Sequence, residues 1–305
     1  MDDYVIKIEN LVKYFDGRCV LDGIDLNIPR GCIYGLLGRN GIGKTTIIRI
    51  LLGLDFPTRG QTFLLGHNSQ NLLSNIRGKI GCVSEGHNLI QNYKVSRLIK
   101  LCKDISLRWN EEFFSHLINT FRLPLDRKVK ELSMGMRAQL NLALAMAIEP
   151  ELLILDDPTL GLDTVARRQF LELAIELIQQ QERTILFSSH ILSDVERVAD
   201  RVGILVAGKL VVDCTQEELK NHVKKLRVIF PLTVPENLYM TEIINQKISG
   251  REMILTVANW NREKQAILET FLPSSCTEIP MTLEDIFIEC TKSNQEIIPA
   301  GMQER

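Results

Sequence analysis

The sequence predicts a mixed α/β protein: a parallel sheet covered by helices on both faces, with an antiparallel β segment before it and a small α+β unit after it. Three observations predict this. First, "ELLILDD" (151–157), "TILFSSH" (184–190) and "VGILVAG" (202–208) are solid apolar runs of strand length, separated by helical stretches such as "TVARRQFLELAIELIQQQ" and "ILSDVERVADR". Strands that are apolar throughout and alternate with helices belong to a parallel sheet buried on both faces. Second, residues 4–30 alternate, as in "YVIKIENLVKYF" and "CVLDGIDLNI", which marks antiparallel strands joined by a turn at "DGR". Third, after about residue 220 the texture shifts to "LRVIFPLTVP", "REMILTVANW" and "TEIPMTLEDIFIECT", short strands and helices of a compact unit.

After the alternating segment come "CIYGLL", "GRNGIGKTT" and "IIRILLGL", which read as a strand, a tight loop and the opening of a helix. The middle stretch has the spacing Gly-x-x-x-x-Gly-Lys-Thr. Its glycines let backbone N–H groups turn inward around a polyphosphate, and the helix that follows points its positive end at the same anion. Gly38, Arg39, Asn40, Gly41, Ile42, Gly43, Lys44, Thr45 and Thr46 are therefore the candidate nucleotide-binding residues. Lys44 is placed to reach the β and γ phosphates and Thr45 to offer its hydroxyl to Mg²⁺. A Gly-rich turn that only caps a helix is the alternative; the flanking strand and helix favour nucleotide, and with it a P-loop NTPase core.

Between about 93 and 148 no strand pattern is visible, so this segment reads as a helical insertion. Its last piece, "MRAQLNLALAMAI", is apolar nearly all round and is expected to be buried. The expected division is an ATP-binding domain over 1–221, a small α+β accessory domain over 222–293, and a flexible polar tail over 294–305. The Lys-rich "KNHVKKLR" (220–227) is the expected linker.

Composition narrows the function. With 36 basic and 38 acidic residues in 305, and pI near 6.3, the chain has no electrostatic footprint for nucleic acid or an anionic membrane surface. Nucleic acid is not expected as a partner. Cysteines at 19, 32, 82, 102, 214, 276 and 290 form no C-x-x-C pair, which predicts reduced thiols in a cytosolic setting. The start, "MDDYVIKIEN", lacks the basic and apolar regions of a signal peptide. No apolar run approaches the ~18–20 residues a membrane helix needs. A membrane role would use a partner.

A nucleotide hydrolase also needs an acidic residue at a neighbouring strand end to hold the Mg²⁺ shell. "LLILDD" supplies Asp156, and Asp157 beside it is a candidate general base for the attacking water. The alternative for either carboxylate is a cap or turn role before Pro158.

The order "GRNGIGKTT", "LSMGM", "LLILDDPTLGLD", "SSH" resembles the ATP-binding cassette family, the motor subunits of ABC transporters, over residues 4 to about 220. The resemblance implies ATP with Mg²⁺ and hydrolysis. It further implies a head-to-tail dimer, with a second copy or a related cassette, that sandwiches two ATP molecules. In that family "LSGGQ" opens a helix that completes the ATP site of the opposite subunit; "LSMGM" keeps Leu132, Ser133 and Gly135. Ser133 as the plain cap of that helix is the alternative. Phe15 stands where the family places an aromatic, usually Tyr, that stacks on adenine; Tyr14 is a rival, and either side chain could instead be core. His190 matches the switch histidine that contacts the γ-phosphate, and Asp163 the loop that touches the partner subunit.

Three departures matter, the first two for the rate of hydrolysis and the third for closure on ATP. Glu85 stands where the family commonly has a glutamine that contacts Mg²⁺ and the attacking water, Asp157 where glutamate is common, and Met134 and Met136 alter the signature. The metal-contacting set implied is Thr45, Glu85 and Asp156, and the catalytic set Asp157, His190 and Glu85. "MTLEDIFIECT" is similar to the C-terminal domain of exporter ATPases that work with separately encoded integral-membrane permeases. That places the chain on the cytoplasmic face of the cell membrane, with residues 86–100 near the groove for the permease's coupling helix. A non-transport cassette ATPase, or a nucleotide-sensing module with slow hydrolysis, are the alternative readings.

Overall fold

The computed structural model describes residues 4–179, 183–235, 238, 240 and 242–293. The polar tail expected over 294–305 lies outside the described residues. The alternating N-terminal segment forms β1 (Tyr4–Phe15) and β2 (Arg18–Pro29), an antiparallel hairpin that turns at Asp16 and Gly17. Both turn residues have positive φ, 47° and 80°, which aspartate tolerates and glycine adopts freely. β3 (Ile33–Leu37) leads into the glycine-rich loop and α1 (Lys44–Leu51) leaves it. β4 (Arg59–Leu64) and β5 (His67–Asn68) return to the hairpin and complete a sheet of order β2-β1-β4-β5.

A short α2 (Ser74–Arg77) and β6 (Ile80–Val83) precede the insertion, which consists of α3 (Val95–Ile105), α4 (Glu111–Phe121) and α5 (Met134–Met146). The chain then alternates through β7 (Leu152–Asp156), α6 (Thr164–Gln179), β8 (Thr184–Ser189), α7 (Leu192–Val198) and β9 (Arg201–Val206). β10 (Lys209–Thr215) and α8 (Gln216–His222) follow. The central sheet has order β10-β9-β3-β8-β7-β6, parallel except for the antiparallel β10 at its edge. Every residue of β3, β7 and β8 is buried, as their unbroken apolar runs require. One face packs with the hairpin and α1 through Ile6, Leu26, Leu36, Ile47 and Ile154. The other packs with α5 and α7 through Leu37, Leu140, Leu155, Phe187 and Val195.

The C-terminal unit is β11 (Lys224–Ile229), β12 (Ile243–Ser249), β13 (Glu252–Val257), α9 (Arg262–Thr270), β14 (Ser275–Ile279) and α10 (Leu283–Ser293). Its antiparallel sheet, ordered β12-β13-β11-β14, encloses Val228, Phe230, Leu255, Val257 and Leu268.

The expected linker is a correction. Residues 220–222 finish α8, Val223 is buried, and Lys224 opens β11. The capping box of Thr215 and Glu218 starts α8 directly from the end of β10, so no free segment remains. Two of its lysines are held: Lys224 pairs with Glu278 at 2.8 Å and Lys225 with the buried Glu289 at 3.4 Å.

Candidate nucleotide site

The loop between β3 and α1 closes on itself where Ile42 N–H donates to the Arg39 carbonyl at 3.2 Å. Gly43 has φ 119°, and a Cβ there would lie 2.7 Å from Leu21 Cδ2, so the position requires glycine. Lys44 starts the helix and turns back. Its Nζ donates to the carbonyls of Gly38 at 2.7 Å and Arg39 at 3.3 Å. Burial pushes its pKa down, against the opposing pull of Asp157, Asp156 and Glu85. A cleft of about 180 Å³ opens here, lined by Asn40, Gly41, Gly43, Lys44, Thr45, Thr46, Glu85 and Asp157. It lies beyond the carboxyl ends of the parallel strands, where open α/β sheets bind ligands.

The two carboxylates enter from the end of β7. Asp156 Oδ1 accepts from Thr45 Oγ1 at 3.1 Å and from Ser188 Oγ at 2.7 Å. Burial still raises its pKa, the two hydroxyl bonds notwithstanding. The Ser188 hydroxyl also accepts from the Asp157 N–H at 2.9 Å, so one side chain of β8 organises both acids. Asp157 adopts φ 44°, a left-handed conformation that aspartate enters more readily than most residues. The turn brings its Oδ2 to 2.7 Å from Nδ1 of His190. Its Oδ1 is buried without a hydrogen-bond partner.

Glu85, at the start of a single 3₁₀ turn after β6, faces the same cleft from the other side. Among the described residues no three His, Cys, Asp or Glu side chains converge as a metal shell. Of the implied set Thr45, Glu85 and Asp156, the first and last are hydrogen-bonded to each other and Glu85 lines the same cleft as Thr45. The residues present fit a magnesium nucleotide: hard oxygen donors from Thr45 and Asp156, an ammonium beside them, and the Asp157 carboxylate in the lining of the same cleft.

The chain is similar to known proteins. The ABC transporter family model matches residues 21–160. The ABC transporter ATP-binding protein YtrB of Bacillus subtilis (strain 168) is 30% identical over 284 residues, covering 93% of this chain and 97% of its own. The chain belongs to the ABC transporter ATP-binding proteins. The bacitracin transport ATP-binding protein BcrA of Enterococcus faecalis is 35% identical over 225 residues, 73% of each chain. A solved ATP-binding subunit of an ABC transporter superposes with a TM-score of 0.64 at 27% identity, covering 71% of this chain and 92% of that one. As in other cassettes, this chain is an ATPase.

The remaining cassette motifs divide. Tyr14 and Phe15 are 46% and 44% exposed, which rules out the core reading for both. Ser133 caps α5, its Oγ accepting from Met136 N–H at 3.2 Å, and with Gly135 it lies outside the lining of the Lys44 cleft. Met134 packs its sulfur against Gly161, where any Cβ would overlap it, so the signature and the "LGLD" loop touch within one chain. Asp163 accepts from the N–H groups of Val165 and Ala166 at 3.0 and 2.9 Å and so caps α6. Sequence reasoning missed Ser188; a serine at the end of a strand that is buried throughout was the available signal.

Proposed function

We propose that this ATPase is the motor of an exporter: two copies, or one copy and a related cassette, close around ATP and drive a separate integral-membrane permease from the cytoplasmic face. The observation that carries the reading is the Asp157–His190 pair beside Lys44, with one Asp157 oxygen free. Loop N–H groups and Lys44 would hold the β and γ phosphates, and Thr45 with Asp156 would hold Mg²⁺. That ion, when bound, neutralises charge on the phosphate oxygens. Asp157 orients the attacking water and accepts its proton, while His190 fixes Oδ2 and with it the carboxylate plane.

The cleft supplies donors on one side only. A second surface is needed to exclude water from the γ-phosphate, and an exposed N-cap with free helix amides, Ser133 to Gly135, supplies the matching chemistry. Ile90, Leu101, Ile105 and Leu107 expose apolar side chains on and beside the insertion, which supports a permease helix docking there. Among the described residues no helix is long and apolar enough to cross a membrane, so transport would rest on that partner. Glu85 favours a second reading, a slow nucleotide sensor, because its charge would oppose the incoming phosphate.

Isolation of the chain from detergent-solubilised membranes, with and without ATP, decides between them. A stoichiometric membrane protein that stimulates phosphate release is expected. A chain that retains ATP without turnover in the presence of every co-purified protein would replace the motor with the sensor.

A further inference from the structure

Lys13 is a buried charge that the hydrolytic site does not use. It lies near the end of β1 and is 9% exposed. Its Nζ donates to Asp55 Oδ1 at 2.7 Å and to the Phe56 carbonyl at 2.7 Å, and it sits 4.6 Å from the centroid of the Phe15 ring. We propose that Lys13 is a positioning residue for the purine base: its ammonium backs one face of Phe15 and prepares the ring to stack on adenine with the other. This rests on the reading of the site as an ATP site with Phe15 as its base platform.

Three physical arguments support it. Phenylalanine has no hydroxyl with which to anchor its ring, and the ring is nearly half exposed, so a cation held against its face is what restricts it. An ammonium on one face also draws π density toward itself. The opposite face then repels the π cloud of a stacked purine less than a bare ring does. Tyr14 has no such support; its hydroxyl lies beside Cys19.

The third argument is mechanical. Asp55 and Phe56 belong to the segment that leaves α1, the helix whose first turn carries Lys44 and Thr45. Two further bonds tie the same segment to β1: Tyr14 N–H to Thr58 Oγ1 at 3.0 Å and Thr58 N–H to the Val12 carbonyl at 2.8 Å. Lys13 thus joins the ring to the far end of the helix that holds the phosphates. Base and phosphate subsites keep a fixed separation.

Titration of the full chain with ATP and with inorganic tripolyphosphate, both with Mg²⁺, tests the proposal. The variants are Phe15→Ala, Lys13→Met, Lys13→Gln and the double Lys13→Gln/Phe15→Ala; the glutamine keeps a donor for Asp55 and the Phe56 carbonyl, and decides the matter if the methionine variant does not fold. Each single variant is expected to weaken ATP about five- to tenfold and to leave tripolyphosphate unchanged. The double variant should bind ATP no more weakly than Phe15→Ala alone, because Lys13 acts through the ring. Equal loss for both ligands would make Lys13 a structural residue and overturn the proposal. So would parental ATP affinity in the Lys13 variants while Phe15→Ala is weakened. If Phe15→Ala itself binds ATP like the parent, the base-stacking reading fails first and takes the proposal with it.

Discussion

Asp156 is held at a cost. Burial raises its pKa above the usual carboxylate value, against the hydrogen bonds from Ser188 and Thr45. A folded-state pKa above the unfolded one means that stability is fullest below the unfolded value and is lost as pH rises through the folded value. Asp156→Asn keeps the acceptor oxygen for both hydroxyls and removes that loss. The nucleotide-free variant is therefore expected to melt above the parent at neutral pH, with the gain shrinking as the pH is lowered and the parent takes up its proton. Calorimetry over that range checks it, and an equal gain at every pH would assign the effect to something other than this charge. Asp157→Asn should reduce phosphate release by a hundredfold or more, an effect of the size general bases supply, while ATP affinity is kept; unchanged turnover would remove Asp157 as the base. Both acids were legible in the sequence because they follow a strand in the same segment. Their setting was not. Ser188 reaches them because the register of β7 on β8 places Asp156 opposite Ser188, and His190 meets Asp157 across 33 positions only once those strands are neighbours.

At the scale of elements, Ser133 caps α5 and, in the function proposed above, also completes the partner's ATP site. Ser133 accepts from Met136 N–H, and replacing such a cap by alanine costs about 1 kcal/mol. Ser133→Ala should show that loss in thermal unfolding and a modest weakening of ATP-driven dimerisation. Ser133→Arg should abolish dimerisation, since a cation opposes the positive end of the helix and fills the space meant for a phosphate. Light scattering in the Asp157→Asn background, with ATP and Mg²⁺, reads both; a Ser133→Arg dimer would end the role of α5 in the partner's site. The strands that sequence located well, β3, β7 and β8, are those whose two faces are both buried, because nothing but an apolar run can fill them. The segment 220–227 misled for the opposite reason. Lys224 and Lys225 look solvated in isolation, and the carboxylates that hold them, Glu278 and Glu289, lie 54 and 64 positions away.

For the whole molecule, the question is whether the C-terminal unit is a separate body. It has its own sheet and apolar cluster, which suggests that it is. Its last helix says otherwise. Leu283, Ile286 and Cys290 of α10 are at most 1% exposed and share a core cluster with Val195 of α7, Val202 of β9, Val212 of β10 and Leu219 of α8. A chain ended at residue 222 would therefore strip apolar cover from the cassette, and Ile286→Ala alone should cost about 2–5 kcal/mol. The buried Glu289, bonded to Lys225 of β11 and to Asn245 of β12 at 2.7 Å, ties α10 to its own sheet as well. The helix thus bridges both units, and they should unfold together. The two tryptophans allow a direct test, since Trp109 lies in the helical insertion and Trp260 packs against the C-terminal cluster. In Trp260→Phe, fluorescence reports the cassette, and in Trp109→Phe it reports the C-terminal unit. The two variants are expected to give coincident thermal transitions once each is referenced to its own calorimetric midpoint, and Ile286→Ala should lower both by the same amount. If the Trp260 signal melts ahead of the Trp109 signal, and Ile286→Ala widens that gap without moving the cassette, α10 seals a dispensable accessory unit. Truncation would then spare ATP binding, and the accessory unit could regulate the motor only by contacts made outside this chain.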